Sequence, residues 1–80
     1  MSDELIVSNT TDLLRVQARE VMCIKADGNY SQIVLNDGEE CLVGFQLGQL
    51  EQLIDDQLDE KKNDFIRIGR GAIVNRRYLF

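Results

Sequence analysis

Near residue 46 the spacing of the apolar side chains changes, and that change limits the folds open to the chain. Up to that point apolar residues alternate with polar ones or come in short runs, the pattern of strands. From there Leu47, Leu50, Leu53, Ile54 and Leu58 share one face of a helix with about 3.6 residues per turn. The spacing predicts a helix over about 46–58. Gln46 is a poor N-cap residue, and Asp55, Asp56, Asp59 and Glu60 oppose the helix dipole at the C-terminal end. Such a helix must be held by its leucine stripe rather than by its ends. A chain of 80 residues makes one small domain over residues 1–80. A domain near that size buries only roughly 60% of its unfolded surface, which leaves little material to enclose a substrate.

The rest reads as strands. Residues 5–8 and 13–16 form two short strands around the turn residues Asn9-Thr10-Thr11-Asp12. Residues 18–20 make a brief helical turn, and the run Val21-Met22-Cys23-Ile24 reads as a buried strand. Residues 30–35 follow the turn Asp27-Gly28-Asn29, and Asp37-Gly38 signals a hairpin whose second arm is 40–45. Beyond the helix, 65–68 and 72–74 flank Gly69-Arg70-Gly71. The expected fold class is mainly β with one helix.

Composition excludes several functions. The chain has no histidine, so the commonest acid–base group and metal ligand is absent. Cys23 and Cys41 form no CxxC pair and read as free core thiols in a reduced compartment. The carboxylates at 51–60 do not match a calcium loop, and a lone GxG is no nucleotide site. No catalysis, cofactor, metal or small-molecule substrate is expected. The acidic N-terminus is unlike a secretory signal, and no apolar run approaches the roughly 20 residues that span a bilayer. A cytoplasmic location without membrane contact is expected.

The net charge of −5 argues against a nucleic-acid partner, but its distribution does not. Residues 61–80 carry six basic side chains and one acidic, a net +5, whereas residues 1–60 carry three and thirteen, a net −10. Local field governs steering, so an acidic body can carry a basic reading edge. The basic stretch is Phe65-Ile66-Arg67-Ile68-Gly69-Arg70-Gly71-Ala72-Ile73-Val74-Asn75-Arg76-Arg77. Its apolar and arginine residues alternate imperfectly, so the arginines should face water together. A guanidinium fork can hold a phosphate or read guanine in a major groove. Gly69 and Gly71 would let the loop approach a ligand closely. A plain solvated edge is equally compatible with this spacing.

Three stretches in order resemble the LytTR DNA-binding domain. Residues 21–30 are similar to its "I-x-x-I-x-A-x-G-N-Y" segment, residues 46–53 to its "S-L-x-x-L-E-x-x-L" helix, and residues 65–75 to "F-x-R-I-H-R-S-x-x-V-N". The resemblance covers residues 4–80. It implies an elongated arrangement of short antiparallel strands packed with the helix, and loops that enter the major grooves of double-stranded DNA. It further implies a sequence-specific domain of a bacterial-type transcriptional regulator, often the output domain behind a receiver. By motif match, Asn29, Tyr30 and Ser31 would form one DNA-facing loop entering a groove next to that probed by Arg70. Arg67, Arg76, Arg77 and Lys62 would hold phosphates, and Asn75 would bond backbone to support the loop. Four such contacts would give log affinity a slope of roughly −3.6 against log salt.

Gly69 and Gly71 stand where the motif has His and Ser, and Gln46 where it has a capping Ser. The family pattern continues through a further hairpin with a third DNA-facing loop, whereas this sequence stops at Phe80. A member shortened in that way would expose a strand edge and is expected to form a homo-oligomer through it. The alternative is a protein-interaction or oligomerisation module of the same fold that no longer binds DNA.

Overall fold

The computed structural model describes residues 3–8, 10, 13–58 and 63–79. Its elements are β1 (Glu4–Ser8), β2 (Leu13–Gln17), β3 (Val21–Asp27), β4 (Tyr30–Leu35), β5 (Glu40–Val43), α1 (Leu47–Gln57), β6 (Phe65–Ile68) and β7 (Ala72–Asn75). Strands β1 and β2 form a two-stranded ribbon, and the other five form a sheet in the order β5-β4-β3-β7-β6. Every pairing is antiparallel. The fold is therefore mainly antiparallel β with one helix, as the apolar spacing predicts. The hairpin β6–β7 returns to the sheet beside β3, so β3 is central, with a hairpin on each side.

A bulge in β3 explains its unusual apolar run. Val21 pairs with Leu35 and Cys23 with Val34, which leaves Met22 as the extra residue. Because strand side chains alternate, Val21 and Ile24 would otherwise point to opposite faces. The bulge turns both into the core, where each is fully buried, and leaves Met22 partly exposed. The run 21–24 is thus not the wholly buried strand expected from its hydrophobicity.

The inner sheet face carries Ile24, Ile33, Val43 and Ile73, all buried. Leu5, Val7 and Val16 from the ribbon and Leu47, Leu50, Ile54 and Leu58 from the helix segment complete this single core. Fully burying one such side chain contributes about 1.5–3 kcal/mol. Four of them match the entire stability expected of a domain this size, about 4–12 kcal/mol. The helix cannot leave the sheet without unfolding the domain. Polar links reinforce the packing. The Gln57 amide donates to Ile6 O at 2.7 Å and accepts from Ile6 N at 2.8 Å, acting as a short extra strand against β1.

The outer face has no covering layer among the described residues. Register places Val34, Cys23, Val74 and Ile66 in one row across it, and Leu42, Gln32, Lys25, Ala72 and Ile68 in the next. Arg67 does not join them. It pairs with Ile73, whose side chain is buried, so the parity of β6 sends Arg67 inward and the two isoleucines outward. The expectation that the arginines share one solvent face is corrected by this register. The outline, 29 × 25 × 24 Å, is also rounder than the elongated shape the resemblance implied, because ribbon and helix stack on one face of the sheet.

Candidate nucleic-acid interface

Two hairpin turns stand side by side at one end of the sheet. The first, Gly28-Asn29, joins β3 to β4, with Gly28 at φ 63°. Glycine at the first position of a two-residue connection suits a II′ turn, which fits strand twist. The second, Gly69-Arg70-Gly71, joins β6 to β7, with Gly69 at φ 56°. Gly71 has no positive φ, and a Cβ there would meet nothing within 4 Å, so its expected steric role in the loop is absent. The ladder between β3 and β7 runs into the second turn, where Ala26 N donates to Gly71 O at 2.9 Å.

The start of α1 lies at the same end. Gln46 N donates to Gln49 Oε1 at 2.8 Å, a cap supplied from within the helix rather than by Gln46 itself. The Gln46 side chain donates to Asn29 Oδ1 at 3.3 Å, leaving the Asn29 amide hydrogens for another partner. The first helical turn has no acidic residue, so its positive dipole end is not neutralised there. Tyr30 is 54% exposed. Arg70 is exposed, and among the described residues its guanidinium has neither ion pair nor hydrogen bond. Asn29, Tyr30 and Arg70 are thus brought together at one polar, accessible end.

The other expected contacts lie elsewhere. Ser31 is fully buried and its Oγ donates to Phe45 O at 2.7 Å, so it ties β4 to the segment entering α1 instead of facing a ligand. Arg67 donates through Nε to Gly69 O at 2.8 Å and pairs through a terminal nitrogen with Glu51 at 3.2 Å. Two of its three guanidinium nitrogens are thus engaged within the fold. Arg76 and Arg77 follow β7 at the opposite end of the sheet, where Arg76 pairs with Asp64 at 3.2 Å. From residue 70 to 76 at about 3.3 Å per residue, the two ends are roughly 20 Å apart. The arginines therefore do not flank one loop, as their closeness in sequence suggested. Lys62 lies outside the described residues.

No protein-family model matches the chain, and neither does any curated protein. A solved structure does, with a TM-score of 0.69 at 20% identity, covering 100% of this chain and 67% of the other. It is described as the LytTr DNA-binding domain of a methyl-accepting/DNA response regulator from Bacillus cereus. The chain has the LytTR fold.

Within this LytTR fold, Asn75 secures the end remote from the two turns. It is buried and donates to Val21 O at 2.8 Å and Ala18 O at 3.4 Å, while Oδ1 accepts from Arg77 N at 3.0 Å. It therefore holds the entry to β3 and caps the turn Arg76–Tyr78, and does not touch the Gly69–Gly71 loop. Tyr78 completes this end, donating to Arg19 O and accepting from Asn36 Nδ2. Sequence reasoning missed Gln46 and Glu51, whose partners are 17 and 16 residues away and carry no local signal.

The thiols are only half-buried and stay free. Cys23 is on the outer face and Cys41 pairs with Ile33 on the inner face. Two strand spacings, about 9.6 Å, separate their strands, beyond the roughly 7 Å that a disulfide spans between Cα atoms. Burial, and then the charges of Glu39 and Asp37, raise the Cys41 pKa, which disfavours the reactive thiolate. Among the described residues no cluster of three metal-ligating side chains occurs, and no helix is long and apolar enough to cross a membrane.

Asn75→Ala should destabilise the fold by about 1–3 kcal/mol, because it strands buried backbone groups. Urea denaturation measures this. An unchanged midpoint would show that those backbone groups find other partners.

Proposed function

We propose that this chain is a sequence-specific DNA-binding domain of a bacterial-type transcriptional regulator, reading double-stranded DNA with the end formed by the Gly28-Asn29 and Gly69–Gly71 turns. The observation that carries the reading is Arg70, exposed and unpaired among the described residues, beside Asn29 and Tyr30 on a LytTR fold. The structural neighbour, described as a DNA-binding domain of a response regulator, supports the partner and the regulatory role.

In the strand order β4-β3-β7-β6 the two turn tips are two strand spacings apart, about 10 Å. A major groove is about 12 Å wide, whereas successive major grooves along one face of the duplex lie about 34 Å apart. Both tips therefore address a single groove and its borders, not neighbouring major grooves. Arg70 presents a planar fork to guanine O6 and N7. The Asn29 amide donates to a base edge or a bordering phosphate, and Tyr30 packs at the rim. Arg76 and Arg77, at the far end, make no contact with a duplex seated here. Lys25 is paired with Glu40 at 3.6 Å, so with Arg70 as the unpaired cation of this end log affinity should fall with log salt at a slope of roughly −0.9. The slope of roughly −3.6 belongs to a duplex that also engages the remote arginines.

Selection from random duplexes followed by fluorescence anisotropy tests this. An enriched motif is expected, and Arg70→Ala should cost about 1–3 kcal/mol of specific affinity. An Arg76→Ala/Arg77→Ala variant should bind within about twofold of the parent, since a distant charge is screened beyond roughly 10 Å. Absence of binding at low salt would contradict the proposal.

A second reading, an oligomerisation module, is favoured by the free edge of β6, which continues into the exposed Ile66 and Ile68 of the outer face. A second copy adding its own β6 antiparallel would pair both free edges and bring the isoleucines together. A dimer mass in light scattering at high micromolar concentration is expected, reverting to monomer in Ile68→Lys. A monomer throughout would remove this reading.

A further inference from the structure

Both turns of the reading end are tethered to the same helix. Gln46, at the start of α1, donates to Asn29 of the first turn at 3.3 Å. Glu51, just over one turn further along, holds the Arg67 guanidinium at 3.2 Å, and Arg67 Nε donates to Gly69 O of the second turn at 2.8 Å. The far leg of that turn is fixed by Ala26 N on Gly71 O at 2.9 Å. Arg70 thus has its backbone pinned on both sides while its side chain has no partner among the described residues. The helix itself is immobilised by Leu47, Leu50 and Ile54 in the core.

We propose that Arg67 and Glu51 form a positioning clamp that sets the Arg70 turn against the Asn29 turn, with α1 as the common ruler, and that Arg67 does not contact DNA. This rests on the DNA-binding reading above and adds how its two turns are held in register. The chemistry favours arginine. Its planar fork satisfies a carbonyl and a carboxylate from different nitrogens, which a single ammonium on a flexible stem does less well. The clamp is no stabiliser of the fold as a whole. The side chains of Arg67 and Glu51 are 29% and 45% exposed, and ion pairs with that much water contribute little to global stability.

The sign of one substitution separates this from electrostatics. Removing a carboxylate from a DNA-binding domain strengthens binding if charge alone matters, because repulsion from phosphate falls. The clamp requires the opposite. Glu51→Gln should bind the selected duplex roughly two- to thirtyfold more weakly, the range of a coupling carried through one contact network. Its thermal midpoint and salt slope should stay near those of the parent. Arg67→Lys, which keeps the charge, should show the same loss. A phosphate-binding Arg67 would instead be rescued by lysine, and Arg67→Gln would make the slope shallower by about 0.9.

Amide hydrogen exchange in the free protein supplies a readout that needs no DNA. In Glu51→Gln the amide of Ala26, which donates to Gly71 O, should exchange faster while that of Ile24, deeper in β3, keeps its rate. Faster exchange together with weaker binding supports the proposal. Parental exchange, or binding as tight as the parent or tighter, overturns it. If the parent itself binds no duplex, the DNA-binding reading fails, and the exchange measurement still decides whether the clamp exists.

Discussion

The packing of one leucine stripe against one face of a five-stranded sheet governs the rest of the molecule. Leu47, Leu50, Ile54 and Leu58 meet Ile24, Ile33, Val43 and Ile73, and the β1–β2 ribbon closes the side of this core. The helix ends are weak: the cap comes from Gln49, and the last turn has no basic residue to complement the dipole. Position along the sheet is therefore set by side-chain packing. Because the helix begins where β5 ends, its first turn falls at the end that also holds the β3–β4 and β6–β7 turns. The site is a consequence of where the core places the helix.

Charge then acts on that geometry in two different ways. The basic residues of the last twenty positions make a single patch when counted along the chain, yet β7 carries Arg70 and Arg76 to opposite ends of the sheet. Arg67 and Arg76 are consumed by Glu51 and Asp64, while Arg70 keeps an unpaired fork among the described residues. On the DNA-binding reading proposed above, an acidic chain presents one cation without a large basic surface, and the contact would depend more on shape and base chemistry than on counterion release.

Much of the fold was legible in the sequence because its signals are local. Asp37-Gly38 marked the β4–β5 hairpin, and the change of apolar period marked α1. The resemblance to LytTR domains rested on three short motifs, and the solved neighbour bears out that fold at only 20% identity. What failed was parity. The bulge at Met22 flips the side chains of β3, and the pairing of Arg67 with Ile73 sends an arginine inward; neither is visible before strands are paired. Motif match put Ser31 in the DNA-facing loop with Asn29 and Tyr30, whereas strand alternation buries it against Phe45 O. The tethers through Gln46 and Glu51 join residues from separate elements, so only the tertiary structure brings them together.

The most direct test of the account is to map the DNA contact on the protein by amide chemical-shift changes during titration with the selected duplex. The account predicts changes centred on residues 28–30, 46–48 and 69–71, with residues 36–38 and 76–78 unmoved. Changes centred on Arg76–Tyr78 would place the duplex at the opposite end of the sheet and contradict it.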